Sequence, residues 1–206
     1  MATARLISVA AAAVAILALA GSPTARGAAT SRGDPGRLPQ TRALPSAATA
    51  LFRKRMAALW RGIVHDSPAA ARSAFFPRSA YLRVKQIADP SADFRDRLLA
   101  GFRADIRAAH ALLGSDAAHA RLLRVSVPRE WAWIEPGNCY NRIGYWHAPG
   151  SRLVYREHGQ IRSFGIYSLI SWRGRWYVVH LAEYDRPGTV YEPASGVGRF
   201  GPPGGC

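Results

Sequence analysis

The chain has 206 residues and a formal net charge of +15, and all but two of its 28 basic residues, Lys54 and Lys85, are arginine. That length suits one domain with its own core between two low-complexity ends. The sequence contains no P-loop, no G-x-S-x-G and no H-E-x-x-H, which removes the nucleotide-binding, serine-elbow and zincin classes that those motifs mark.

The opening predicts an export signal. Arg5 precedes an apolar run, Leu6 to Ala20, closed by the small residues Ala18-Leu19-Ala20 and broken by Gly21, Ser22 and Pro23. That is the pattern of a secretory signal peptide over 1–20, and the run is shorter than the roughly 20 residues that span a bilayer. Residues 21–45 hold little to bury and read as a flexible leader. The expected domain is 46–185, and 186–206 is a Pro/Gly-rich tail ending in Cys206.

Ser46 reads as the cap of a first helix carrying Leu51, Met56, Leu59, Trp60 and Ile63 at helical spacing. Asp66-Ser67-Pro68 ends it and starts a short second helix, "PAAARSAFF", up to Pro77. "RSAYLRVKQI" fits helix or strand. Ser91 begins the clearest helix, whose stripe is Phe94, Leu98, Phe102, Ile106, Ala109 and Leu113, with Gly114 as its C-cap.

Beyond Gly114 the period changes to two. "ARLLRVSV", "EWAWI", "NRIGYWHA", "RLVYREH", "IRSFGIYSLISW" and "WYVVHLAEY" read as successive strands. Pro136-Gly137, Pro149-Gly150, His158-Gly159 and Arg173-Gly174 part them, and Asn138 suits a turn. Every Trp except Trp60 lies beyond residue 128, as β propensity favours. Helices followed by an antiparallel meander make an α+β plan.

The tight turn at Arg173-Gly174 sets a hairpin register. Trp172 faces Arg175, Ile170 faces Tyr177, Ser168 faces Val179 and Ile166 faces Leu181, and this face is the expected core. The other face sets Tyr167 opposite His180, Leu169 opposite Val178 and Ser171 opposite Trp176, which suits an apolar pocket with two polar groups. Asn141, Ile143, Tyr145 and His147 alternate to one face of "NRIGYWHA", and Gly144 marks a bulge or bend. The candidate ligand-binding set is therefore Tyr167, His180, Tyr145, His147 and Asn141.

Cys139 and Cys206 are the only cysteines. An oxidising compartment favours their pairing, and closing a loop of about 68 residues is worth roughly 4 kcal/mol in the chain-entropy model. The histidines at 65, 110, 119, 147, 158 and 180 lack metal-ligand spacing, so neither metal nor cofactor is expected. "GVGRFG" at 196–201 has no strand before it and no helix after it, so it is no dinucleotide site.

The order of helices and then a curved sheet ending in "SWRGRWYVVHL" resembles the NTF2-like, or SnoaL-like, cone fold over roughly 51–184. The phrases "NRIGYWH", "RLVYR" and "SLISWRG" with "WYVVHL", and the final Gly-Gly-Cys, also resemble a group of exported actinobacterial proteins. That resemblance implies an exported location and no particular activity. The NTF2-like fold implies a pocket, and in its isomerases a pocket carboxylate base with a Tyr donor. Tyr167 matches the donor, but no strand-interior carboxylate matches the base, which leaves His180 or His147 for that part. Two readings follow. The first is a secreted, non-catalytic module that binds a small apolar or envelope-derived ligand or associates with anionic cell-envelope polymers, with nucleic acid not expected. The second is a small isomerase or dehydratase using a His/Tyr pocket. A buried carboxylate within hydrogen-bond reach of either His separates the two.

Overall fold

A computed structural model of the chain describes residues 33–181 and 190–191. The first helix, α1 (Ala50–Val64), is capped by Thr49, whose side chain accepts from the Phe52 N–H. The expected cap, Ser46, serves the turn before it and accepts from Ala48 N. The shift follows from burial: Phe52 takes the core position, and Leu51 stays exposed. Met56, Leu59, Trp60 and Ile63 are buried as the spacing predicts.

Residues 68–76 depart from the expected short helix. They form turns and a single 3-10 turn, Arg72–Ala74. Phe75 then pairs in parallel with Val178, and Phe76 N donates to the Val178 carbonyl. Pairing along an open sheet edge outweighs the local helical preference of this Ala-rich stretch. Gly62 permits the fold-back, because a Cβ there would lie 2.6 Å from Ala71 Cβ. The ambiguous "RSAYLRV" is helix α2 (Arg78–Val84).

The clearest predicted helix is three segments in one run, 90–113. Asp89 caps α3 (Pro90–Asp93), a π-helical stretch occupies Phe94–Leu99, and α4 (Ala100–Leu113) completes it. Phe94, Leu98, Phe102 and Ile106 recur every four residues, overshooting a 3.6-residue turn by about 40° at each step. The wider π turn takes up part of that drift and keeps the stripe on the core. All six stripe residues are buried, and Gly114 ends the run at φ 56°.

Among the described residues eight strands form two antiparallel sheets: β1 (Arg121–Ser126), β2 (Ala132–Ile134), β3 (Tyr145–Ala148), β4 (Ser151–Glu157), β5 (Gln160–Ile166), β6 (Ser168–Trp172), β7 (Arg175–His180) and β8 (Val190–Tyr191). Their orders are β1-β4-β5-β8 and β2-β3-β6-β7. The α+β class is as expected. The sheets share one long hairpin: its register runs from Glu157↔Gln160 to Ser151↔Ile166, and resumes unchanged at Ala148↔Leu169 and His147↔Ile170. The hairpin bends at Pro149-Gly150 and Tyr167, so the single strand expected at 161–172 is β5 and β6 with a corner between them. "NRIGYWHA" is a strand only over its second half. Cys139 and Tyr140, rather than Asn138, take positive φ beside Gly137. Gly144 precedes β3 and marks a close approach instead of a bulge, since a Cβ would lie 2.6 Å from the Ile134 carbonyl.

Residues 33–45, expected to belong to a flexible leader, lie against the β2-β3-β6-β7 sheet. Gln40 Nε2 donates to the carbonyls of Gly144 and Ser171, each at 3.2 Å, and the Trp172 indole donates to the Pro35 carbonyl. Arg42 stacks over Trp133 and pairs with Glu135.

Candidate functional site

The β6–β7 hairpin keeps the expected register from Trp172↔Arg175 to Leu169↔Val178, over an Arg173-Gly174 turn with both φ values positive. A bulge then intervenes, and His180 lies opposite Ser168 rather than Tyr167. One extra residue on β7 separates the phenol and imidazole that an unbroken ladder would oppose. The face expected to form an open pocket is closed along this hairpin: Leu169, Ser171, Trp176 and Val178 are buried, and Trp131 packs edge-on against Trp176.

Across the bulge, α4 brings a carboxylate to His180. Asp105 is fully buried, and its Oδ2 lies 3.2 Å from His180 Nδ1 and 3.2 Å from the Leu181 N–H, which donates to it. The imidazole retains 19% exposure. Gly101, one turn before Asp105, completes the cradle: a Cβ there would come within 2.8 Å of His180 Cε1. In the tautomer that carries its proton on Nδ1, the imidazole donates to Asp105 Oδ2. This is the arrangement that orients an imidazole as a base.

The other candidates form a second, more enclosed group. Asn141 is buried at 1% exposure, and its Nδ2 donates to the Tyr145 hydroxyl at 3.2 Å. Burial pushes the Tyr145 phenol up, and the Asn141 contact opposes part of that rise. His147 pairs with Ile170 in the ladder, is 7% exposed, and hydrogen-bonds the Tyr167 backbone. Burial pulls its pKa below the ordinary histidine value, and its Nε2 is buried without a partner among the described residues. Tyr167 stands at the β5–β6 corner, half-buried. The ladder puts His147 and His180 two strands and two residue pairs apart, on the order of 11 Å. Asn141, Tyr145 and His147 therefore share no ladder position with His180.

Asp105 is the residue that sequence reasoning missed. Strand periodicity points only to carboxylates on strands, while this one arrives from a helix 75 positions away. A signal existed, because Asp105 falls next to Ile106 on the core side of an otherwise apolar stripe. The described residues contain no group of three or more His, Cys, Asp or Glu able to hold a metal ion. No described cysteine is free, Cys139 accepts through its carbonyl from Lys85 Nζ, and Cys206 lies outside the described residues. No described helix is long and apolar enough to cross a membrane. Comparison with protein-family models, curated proteins and solved structures finds no match to this chain.

Proposed function

We propose that the chain is an exported domain of NTF2-like architecture that acts as a small isomerase or dehydratase, with His180 as its acid–base group. The observation that carries the reading is the buried Asp105 carboxylate on His180 Nδ1. His180 Nε2 takes a proton from carbon next to a substrate carbonyl. It returns the proton to a neighbouring carbon in an isomerisation, or to a departing hydroxyl in a dehydration. Asp105 is the positioning residue, holding the tautomer and supporting the charge on the ring during transfer. His147 is the weaker candidate because its Nε2 is sealed. The bent hairpin and the 90–113 run laid on β7 support the NTF2-like architecture, and the Cys139–Cys206 bridge belongs to the same exported reading.

The test is proton–deuterium exchange, followed by NMR, across a panel of small ketones and hydroxy acids. His180→Gln should lower exchange by about 10²-fold or more. Asp105→Asn should lower it less and shift its pH profile. A silent panel, or exchange surviving in His180→Gln, overturns the proposal. The non-catalytic reading, a basic module on anionic envelope polymers, is favoured by the net charge of +15. It requires retention that falls steeply with salt, and salt-insensitive retention removes it.

A further inference from the structure

A cavity of about 340 Å³ opens between residues 34–35, α1 and the 72–78 segment, and its lining includes neither His180 nor Asp105. Its volume is that of a small-molecule site. Three arginines line it, Arg55, Arg72 and Arg78, together with the buried rings of Phe75, Phe76 and Tyr177. Arg55 is the informative one. It is only 8% exposed, donates to the Trp176 carbonyl at 3.1 Å and the Tyr177 hydroxyl at 2.8 Å, and stacks over the Tyr177 ring.

A buried guanidinium is normally neutralised by a carboxylate, because removing an ion from water is costly. Among the described residues no acidic side chain forms an ion pair with Arg55, Arg72 or Arg78. Arg72 lies over the Phe75 and Phe94 rings, and Arg78 donates to Ser91 Oγ, both neutral partners. Asp34 is the single carboxylate on the lining, and its Oδ1 is engaged by the Gly36 N–H. The cleft thus carries an excess of fixed positive charge beside an apolar lining. Its wall is held in place by Gly36, where a Cβ would lie 2.6 Å from Ala80 N.

We infer that this cleft binds a small organic anion, a carboxylate or phosphate borne on a flat apolar body. The anion is held by forked hydrogen bonds from the arginines, and its body packs against the apolar lining, where Pro35 and Pro77 stand beside the buried rings. The site is independent of the acid–base reading of His180.

The experiment is thermal shift and calorimetry on the mature chain with benzoate, phenyl phosphate, inorganic phosphate and the uncharged benzyl alcohol. A saturable rise in Tm is expected with benzoate or phenyl phosphate, at constant ionic strength. The stronger of the two identifies the head group. Benzyl alcohol should give none, and inorganic phosphate should bind at least about tenfold more weakly. Arg72→Gln and Arg78→Gln remove exposed side chains and should leave the fold intact. Each should weaken binding by about tenfold or more, while Arg55→Lys keeps the charge and loses the fork. Binding of neither aromatic anion, or equal binding by Arg72→Gln and Arg78→Gln, overturns the inference.

Discussion

Gly101→Ala tests the Asp105–His180 cradle through its sign. At an ordinary helix-interior position, glycine to alanine stabilises by about 0.8–1 kcal/mol. At Gly101 the added methyl would sit 2.8 Å from His180 Cε1. Carbon atoms approach comfortably at about 3.5–4.0 Å, so the ring must retreat by about 0.7 Å or more. The His180–Asp105 contact is already 3.2 Å, and such a retreat breaks it. Losing a hydrogen bond to a buried charge costs about 1.5–3 kcal/mol. After the helix gain, the net expectation is destabilisation of about 0.5–2 kcal/mol, read by denaturant unfolding at neutral pH. In a His180→Ala background the obstruction is gone, and the same substitution should stabilise by about 1 kcal/mol. This change of sign isolates the pair. A stabilising Gly101→Ala in the wild-type background would refute the tight cradle.

Thr49→Ala should cost about 1 kcal/mol in unfolding free energy because the Phe52 N–H loses its cap, whereas Ser46→Ala should cost less. His147 has its folded pKa lowered by burial, so the folded state binds its proton less readily than the unfolded chain. Stability from this group is complete above the unfolded value of about 6.5 and declines as pH falls below it, by at most about 1.4 kcal/mol per pH unit. His147→Gln should flatten that slope in denaturant titrations from pH 7.5 to 5, and an unchanged slope would assign it elsewhere. Cys206→Ser should lower stability by up to roughly 4 kcal/mol if the tail is bridged to Cys139. Non-reducing peptide mapping provides the direct check, and a free Cys206 thiol sinks the bridge.

The legible parts of this fold were those with strong local period. The stripe from Phe94 to Leu113 named its buried face correctly because six apolar side chains agreed. The Arg173-Gly174 turn fixed four ladder pairs because its geometry admits one register. Failures came where distant groups competed for the same backbone. Residues 68–76 had helical composition, but the edge of β7 offered Phe75 and Phe76 better pairing. The candidate site was half legible. His180 and Tyr167 stood out as polar groups in an apolar hairpin, but their opposition assumed an unbroken ladder, and the bulge before His180 removed it.

The sequence by itself determined the α+β class, the placement of helices before strands, the core stripe and the excess of arginine, because each depends on composition or short-range spacing. Tertiary structure decided which polar groups meet. Asp105 reaches His180 because α4 crosses β7 with Gly101 leaving room for the ring, and Arg55 lines a cavity because residues 34–35 form its far wall. Neither meeting has a local signature. Each arises from packing between segments far apart in the chain, where a missing Cβ or an uncompensated charge takes its meaning from what lies against it.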